Sequence, residues 1–335
     1  MKAAVFDGKV IEIKDVPIPT PKDSQVLIKV KATGICGTDM AIVKRHLSTP
    51  TPIIPGHEFA GIVEKVGKNV DTDWLGKRVT SEINANIDFN CFYCRRKIYT
   101  QCMSRKALGI DIDGSFAEYI AVDSYLLHEI PESISFNEGT FIEPLAAAYQ
   151  TFETMSLEKD DTVISIFGLG KLGLLITQVA LAKNLELIVV DGSDKKLSLA
   201  KKFGAQNLIN RLKVKNVPGE IRRFTDGLGA DIVVDTTGNP NALNDIISSC
   251  RTRGKLHIKS THGLDTPINL TDIVVKELTL FSSRCGPFEK AINGLKSGKI
   301  VVEDLITKVY PFDTIKEALG SYEEDRDNIK TILTI

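Results

Sequence analysis

Hydrophobic and polar positions follow two different patterns along the chain, and the pattern changes near residue 150. Residues 1–130 contain short apolar runs such as 26–31, 61–66 and 117–122, separated by Gly, Pro and Asp, which predicts a β-rich region. From Thr162 onward, apolar runs of strand length alternate with stretches of helical spacing. This alternation predicts a doubly wound parallel sheet, so the chain is expected to be of the α/β class.

The second part divides into a regular series of elements. The predicted strands are 162–167, 186–190, 205–209, 230–236 and 254–260, and the predicted helices are 174–184, 195–203, 219–224 and 240–250. A further strand at 277–282 and a helix at 287–297 follow. The pattern leaves open whether this last part joins the β-rich region or the parallel sheet.

Composition narrows the class of protein. A chain of 335 residues has room for two domains, and 43% hydrophobic with 25% charged residues is ordinary for a globular protein. A net charge of -1 predicts no broad basic surface for nucleic acid. The apolar stretch 172–182 is shorter than the ~18 residues that span a bilayer, and the N-terminus lacks a signal-peptide pattern. A cytoplasmic protein is expected, whose six cysteines are thiols or metal ligands.

A glycine motif opens the second part. Gly168, Gly170 and Gly173 lie between a predicted strand and a predicted helix, which is the context of a dinucleotide-binding turn. The first glycine allows the tight turn, the second lets the backbone approach a pyrophosphate, and the third allows close packing of helix on sheet. Leu172 lies within the same motif. The alternative is that these glycines only close a tight turn.

Asp191 ends the next predicted strand, 18 residues after Gly173. Its carboxylate can accept hydrogen bonds from both ribose hydroxyls and would repel a 2′-phosphate, which favours NAD over NADP. The neighbouring Lys195 and Lys196 weaken this preference, because a basic side chain there tolerates phosphate. Alternatively, Asp191 is an exposed turn residue.

The β-rich region contains two groups of metal-ligating residue types. Gly34-Ile-Cys36-Gly-Thr38-Asp39 is followed by Gly56-His57-Glu58, and a thiolate with an imidazole is a ligand pair typical of catalytic zinc. The second group is Asp88, Cys91, Cys94 and Cys102. Taken alone, Cys36 is more often a small buried hydrophobe, and His57 is more often a structural histidine than a ligand.

The order and spacing of GICGTD, GHEFAGIVEKVG, the cysteine group and GLGKLG resemble the zinc-dependent medium-chain alcohol dehydrogenases over essentially the whole chain. The resemblance implies a GroES-like catalytic domain at 1–147 and 276–335, and a Rossmann domain at 148–275. It also implies a homodimer or homotetramer, and a small-molecule alcohol, polyol or sugar as substrate.

The resemblance implies a catalytic zinc held by Cys36 and His57, with Glu58 as a ligand or neighbour. The third position matches Glu143, in an IEPLA sequence similar to that of the polyol and threonine dehydrogenase branch. Glu143 would bind zinc directly or through its water. Without the resemblance, Glu143 is a helix N-terminal acid.

The cysteine group matches the last three positions of the C-x2-C-x2-C-x7-C pattern that the family uses for a structural zinc. Asp88 stands where the first cysteine would be, and a carboxylate can complete a tetrahedral site. Four protein ligands leave no position for substrate, so this metal would hold the loop and do no chemistry. The alternative is weaker zinc binding, or an empty site with three free thiols.

In the implied mechanism, zinc acts as a Lewis acid on the alcohol oxygen and a hydride passes to the nicotinamide. Thr38 resembles the hydroxyl that takes the alcohol proton, although it or Asp39 is alternatively a helix N-cap. Thr236, within the stretch 235–238, would lie near the nicotinamide ring. Arg284 falls where relatives present a polar residue to the pocket, and is alternatively an exposed surface arginine.

Several rivals stay open. Threonine dehydrogenases commonly have CGTDxHI, and Ala41 here counts against that activity. An aldose dehydrogenase is not distinguished by these motifs, and a zinc-less reductase or non-catalytic binding protein is the more distant rival. The residues without a motif are interpreted as structural or surface histidines and ordinary thiols: His46, His128, His257, His262, Cys250 and Cys285.

Overall fold

The computed structural model describes residues 1–261 and 263–335, so His262 lies outside the described residues. The strands are β1 Lys2–Phe6, β2 Ile11–Asp15, β3 Gln25–Gly34, β4 Glu58–Val66, β5 Arg78–Ser81, β6 Asn84–Ala85, β7 Lys106–Ala107, β8 Tyr119–Asp123, β9 Leu127–Glu129, β10 Val163–Phe167, β11 Glu186–Asp191, β12 Asn207–Asn210, β13 Ala230–Asp235, β14 Cys250–Ile258, β15 Thr279–Ser282, β16 Ile306–Pro311 and β17 Lys330–Thr334. The helices are α1 Gly37–Val43, α2 Phe136–Gly139, α3 Ile142–Glu153, α4 Lys171–Leu181, α5 Asp194–Phe203, α6 Val217–Phe224, α7 Leu243–Ser249, α8 Leu270–Val275, α9 Phe288–Lys296 and α10 Ile315–Glu324.

The chain forms two compact units. Unit 1 comprises Met1–Glu143, Ala291–Lys296 and Leu305–Ile335, and unit 2 comprises Pro144–Lys290 and Ser297–Asp304. This division differs from the predicted one, which gave all of 276–335 to the first domain. The segment 276–290 lies in unit 2 because its strand β15 pairs in parallel with β14.

Unit 1 is built on a mostly antiparallel sheet. Its strand order is β16-β17-β3-β4-β5-β9, with β8 beside β3. Alternate residues of β3, namely Val26, Ile28 and Val30, point to one face and pack there with Phe59 and Val63 of β4. This packing holds the first residue of β4, Glu58, and the end of β3 in fixed positions, and both adjoin the candidate metal site described below.

Unit 2 contains a parallel sheet of strand order β12-β11-β10-β13-β14-β15 in the described part of the chain. In the order in which the chain forms these strands, this is 3-2-1-4-5-6, the order of a dinucleotide-binding sheet. The strand order reverses between β10 and β13. Ligands of such sheets bind outside the carboxyl ends of the strands at this point, which is where the glycine motif begins.

No helix in 1–261 and 263–335 is both long enough and apolar enough to cross a membrane. The same residues include all six cysteines, and each of them is free of a disulfide bond.

Candidate functional site

Two groups of metal-ligating side chains occur in unit 1 among the residues that the structure describes. One consists of Cys36, His57 and Glu58, and the other of Asp88, Cys91, Cys94 and Cys102. Within each group the ligand atoms all lie within 4.8 Å of one another. The structure therefore brings together the residues of each predicted zinc site except Glu143.

The carboxylate of Asp39 organises the first group. Cys36 is the N-cap of α1, and its backbone N–H donates to Asp39 Oδ2 at 2.8 Å. Asp39 Oδ1 accepts from the backbone N–H of Gly56 at 3.1 Å and lies 3.6 Å from His57 Nδ1, which is buried and makes no hydrogen bond. Because the carboxylate faces Nδ1, the His57 ring presents Nε2 as its ligand atom.

The electrostatics of this group favour a cation. Burial lowers the pKa of His57, but the negative charges of Asp39, Cys36 and Glu143 together overcome that effect and raise the pKa to about 10. A site that holds a proton on a buried imidazole this strongly has an excess of negative charge. A divalent metal ion bound by the thiolate and the imidazole would neutralise it, so this donor set fits a catalytic zinc.

Glu58 has a buried partner of its own. Its carboxylate forms an ion pair with Lys330, the first residue of β17, and both side chains are almost completely buried, with 1% and 0% of their surfaces exposed. Lys330 Nζ also donates to the carbonyl oxygen of Thr140 at 3.3 Å and lies 5.2 Å from the ring centroid of Phe141. Gly34 leaves space for the ammonium group, because a Cβ there would collide with it.

Glu143 and Thr38 flank this group. Glu143 is half-buried in the first turn of α3 and acts on His57 through its charge, but it lies outside the set of atoms within 4.8 Å. Thr38 is half-buried, with its Oγ1 3.8 Å from Cys36 Sγ. The alternative of Thr38 or Asp39 as N-cap is wrong: Cys36 is the N-cap, and Asp39 accepts from the Cys36 N–H one turn later.

The second group has the dimensions of a tetrahedral thiolate site. Cys91 Sγ lies 3.6 Å from Cys94 Sγ and 3.9 Å from Cys102 Sγ. With Zn–S bonds of about 2.3 Å, the edge of an ideal tetrahedron is about 3.8 Å. Burial and the neighbouring thiols raise the pKa of Cys94 to about 12, an effect that a bound cation reverses because it favours the thiolate.

Asp88 is held in place as a carboxylate beside the three thiols of this second group. Its Oδ1 accepts from the backbone N–H groups of Asn90 and Cys91, both at 2.8 Å, and Ser104 Oγ donates to its Oδ2 at 3.1 Å. The two backbone donors hold the pKa of Asp88 well below its usual range. The donor set is therefore three sulfur atoms and one fixed carboxylate, which fits a closed structural zinc site.

The glycine motif adopts the conformation that a cofactor requires. Gly168 has φ +88°, a value that favours glycine, and a Cβ at Gly173 would collide with the carbonyl oxygen of Gly168. A Cβ at Gly170 would have nothing within 4 Å, so the backbone at the N-terminus of α4 faces open space. A glycine turn whose only role is to connect strand to helix does not require open space at this position. A pyrophosphate bound at the N-terminus of α4 does require it.

Asp191 lies at the carboxyl end of β11 and braces this loop. Its Oδ2 accepts from the backbone N–H of Leu169 at 2.6 Å and its Oδ1 from that of Ser193 at 2.8 Å. Ser193 Oγ in turn accepts from the backbone N–H of Lys196, which caps α5. The carboxylate is half-buried and fixed rather than a free turn residue.

The remaining predicted positions are placed as follows. Thr236, just after β13, donates its hydroxyl to the carbonyl oxygens of Phe167 and Gly168, at 2.9 and 2.6 Å, and so ties β13 to the glycine loop. Leu172 is half-buried in the first turn of α4. Arg284 is exposed, which fits either of its two interpretations.

The residues without a motif behave as structural or surface groups. His46 is exposed, His128 Nε2 lies 3.1 Å from Glu82 Oε1, and buried His257 Nε2 lies 3.0 Å from Ser283 Oγ. Cys250 is buried and Cys285 is half-buried. His262 lies outside the described residues.

Sequence reasoning missed the roles of two residues at the first metal group. Asp39 was considered only as a cap, although its place three residues after Cys36 is the signal that it closes the turn. Lys330 carries no local signal at all, because its partner Glu58 is 272 residues away in the sequence.

Comparisons with known proteins identify the same class. Residues 22–132 match the family model of the alcohol dehydrogenase GroES-like domain, and residues 172–297 match that of the zinc-binding dehydrogenases. D-arabitol-phosphate dehydrogenase of Enterococcus avium is 34% identical, over 93% of this chain and 91% of its own. Sorbitol dehydrogenase of Halalkalibacterium halodurans is 32% identical, over 96% and 95%. Among solved structures, a short chain alcohol dehydrogenase (rspB) from E. coli CFT073 complexed with NADH has a TM-score of 0.90 at 29% identity, covering 100% of this chain and 99% of that one.

The chain therefore belongs to the zinc-binding alcohol dehydrogenase family. It is a zinc- and nicotinamide-dependent oxidoreductase with a GroES-like part and a Rossmann sheet, and the predictions of family, fold class and enzyme class are confirmed.

Proposed function

We propose that this protein oxidises a secondary hydroxyl group of a polyol, with NAD as hydride acceptor. The observation that carries the proposal is the conjunction of two sites in one chain. One is the Cys36–His57 group with its excess negative charge, and the other is the glycine loop with open space before Gly170. The similarity to sorbitol and D-arabitol-phosphate dehydrogenases supports a polyol in particular.

In this proposal Cys36, His57 and Glu143 hold the catalytic zinc, which supplies Lewis acidity toward the substrate oxygen. Asp39 fixes the His57 ring through Nδ1. Oxidation removes a hydride from the carbinol carbon and a proton from its hydroxyl. We assign Thr38 as a proton relay: its hydroxyl, which lies beside the Cys36 sulfur and is not completely buried, accepts this proton and passes its own on towards solvent.

Glu58 is assigned as a neighbour of this zinc rather than a ligand. Its charge is already compensated by Lys330 in a buried ion pair, which lowers the gain from binding a metal. Glu143 contributes negative charge at His57. The proposal therefore takes Glu143, rather than Glu58, as the third zinc ligand.

NAD is assigned to the carboxyl edge of the parallel sheet. Gly168, Gly170, Leu172 and Gly173 surround the space proposed for the pyrophosphate, with Lys196 and Thr236 nearby in the chain's fold. Asp191 accepts the ribose hydroxyls, using lone pairs that its two backbone donors leave unused. Asp88, Cys91, Cys94 and Cys102 are assigned to a second zinc that holds their loop.

The activity test uses zinc-loaded protein and NAD with a panel of polyols, polyol phosphates, aldoses, simple secondary alcohols and threonine. Turnover on a polyol above all others is expected. Preferential turnover of threonine or of an aldose would contradict the polyol assignment. Preferential turnover of threonine would also support a threonine dehydrogenase, although Ala41 stands in place of the histidine of CGTDxHI.

The metal assignment is tested with Cys36→Ser and His57→Ala. Each should lower kcat at least a thousandfold and release one zinc per chain, while near-ultraviolet circular dichroism stays that of the wild type. Cys250→Ser is the matched control, because that thiol is buried in unit 2 and, among the described residues, its hydrogen bond is to the backbone carbonyl of Lys255. Wild-type turnover in either site variant would refute the assignment.

We also propose a cytoplasmic homodimer that pairs through β15. This edge strand of the parallel sheet is mostly exposed, and Val274, Val275 and Leu280 nearby are exposed apolar side chains, of which Leu280 is exposed by 44%. The free cysteines suit a reducing compartment. Light scattering should give twice the chain mass, and Leu280→Lys should halve it; a monomeric wild type would contradict the proposal.

A further inference from the structure

Arg211 lies beside the residues that are assigned to the adenosine ribose. It follows β12, whose last residue Asn210 is opposite Asp191 in the parallel sheet, and its backbone N–H donates to the carbonyl oxygen of Asp191 at 3.0 Å. The guanidinium then turns toward Gly192: a Cβ on that glycine would lie 3.4 Å from Arg211 Nη2. The guanidinium group therefore lies beside Gly192, the residue that immediately follows Asp191.

Two neighbouring polar side chains of this corner are already engaged. Lys213 Nζ and the amide of Asn210 both donate to Asp194, at 2.8 and 2.7 Å. In the described part of the chain the exposed guanidinium of Arg211, by contrast, makes no hydrogen bond or ion pair. A cation with unused donors thus lies next to the ribose carboxylate.

We propose that Arg211 is a specificity-determining residue that contacts the 2′-phosphate of NADP. The inference rests on the proposed function, because it takes the carboxyl edge of the sheet as the nucleotide site. In Rossmann sheets an acidic residue here binds the ribose 2′-hydroxyl, whereas a nearby arginine accommodates a 2′-phosphate. This chain has both, so its preference for NAD depends on Asp191 alone, and the protein retains a measurable activity with NADP.

The two residues have opposite effects on the same ligand. Asp191 is held by the backbone N–H groups of Leu169 and Ser193 and cannot turn away from a 2′-phosphate, which it repels. Arg211 offers the planar pair of donors that matches a phosphate. A Cβ on Gly192 would lie 3.3 Å from Leu212 Cδ1 and 3.4 Å from Arg211 Nη2, so both side chains lie over the residue that follows Asp191.

The test is a double-mutant cycle on zinc-loaded enzyme with Asp191→Ser, Arg211→Ala and the combined variant. Two readouts are measured: the ratio of kcat/KM for NADP to that for NAD, and the Kd of 2′,5′-adenosine bisphosphate and of 5′-AMP. Asp191→Ser should raise the ratio at least tenfold. Arg211→Ala should lower this ratio about ten- to a hundredfold, both in the wild type and in Asp191→Ser. This is the effect expected for loss of a charge-assisted hydrogen bond to a phosphate.

Two further variants separate a specific contact from general attraction. Lys215→Ala removes an exposed positive charge from the same connection without touching Gly192, and it should leave the ratio within twofold. Arg211→Lys keeps the positive charge but not the planar pair of donors, and its ratio of kcat/KM for NADP to that for NAD should lie between those of the wild type and Arg211→Ala.

The inference is overturned if Arg211→Ala weakens 2′,5′-adenosine bisphosphate and 5′-AMP equally, since the side chain would then contact the adenine. It is also overturned if Asp191→Ser alone creates an NADP preference that survives Arg211→Ala. Failure of the proposed function is distinguishable, because in that case wild-type protein binds neither 5′-AMP nor NAD.

Discussion

Lys330→Met should destabilise unit 1 far more than any change to a surface ion pair. The variant keeps most of the volume of the side chain but leaves Glu58 charged, buried and without its ion-pair partner, with 1% of its side chain exposed. Breaking a buried pair in this way costs about 3–5 kcal/mol, and the lost hydrogen bond to Thr140 adds about 1 kcal/mol. The expected loss in the free energy of unfolding is therefore about 4–6 kcal/mol.

The chain provides a local probe for this experiment. Its single tryptophan, Trp74, is in unit 1 and packs against the core of the main sheet, so its fluorescence in urea follows the unit that contains the ion pair. Unfolding is measured with zinc in excess, and zinc content is determined for each variant so that metal loss is not mistaken for lost packing. The slope with urea should stay that of the wild type.

Two comparisons make the reasoning refutable. Lys316→Met breaks an exposed pair with Glu12 at 3.2 Å and should cost under about 1 kcal/mol. Combining Lys330→Met with Glu58→Gln removes both charges and should recover most of the stability. A loss below about 1 kcal/mol for Lys330→Met, or a double variant no more stable than the single one, would refute the account of the buried pair.

Three further outcomes are expected. Asp88→Ala should lower the zinc content from two ions toward one per chain after dialysis against a chelator, whereas Asp88→Cys should retain both; equal retention by all three proteins would exclude Asp88 as a ligand. Burial and the charge of Lys259 lower the pKa of His257 from 6.5 to about 4, so the unfolded chain takes up that proton first and stability is lost as pH falls from about 6.5 toward 4. His257→Gln should therefore show a smaller drop in Tm between pH 7 and pH 5 than the wild type, and an equal drop would contradict this. Burial raises the pKa of Cys250 to about 12, so mass spectrometry after iodoacetamide treatment of native protein at pH 8 should find that thiol unlabelled, and rapid labelling would show that it is accessible.

The parts that could be predicted from sequence are those whose signal is local. The turn from β10 to α4 and the acid at the end of β11 lie within a single strand–helix–strand unit, so glycine positions and one carboxylate were sufficient to predict them. The cysteine group is similarly local, and its sulfur–sulfur distances agree with the proposed tetrahedral site. Cys36 and His57 are further apart, and their pairing depended on a family resemblance.

What could not be predicted depends on contacts that the chain makes over long distances. Nothing in the residues around Lys330 marks it as the partner of Glu58, because burial of a lysine is decided by the packing of β17 against β3, which places Gly34 beside its ammonium. The boundary near residue 276 was placed too early for a related reason. β15 is short and mostly exposed, so its pattern shows little of the pairing with β14 that keeps it in unit 2.

The acidic residues around Cys36 have different roles. The carboxylate of Asp39 orients His57 and accepts hydrogen bonds from the backbone N–H groups of Cys36 and Gly56. The charge of Glu58 is compensated by Lys330. In the proposal the Cys36 thiolate and the Glu143 carboxylate face the metal directly, and Asp39 adds its own negative charge next to His57.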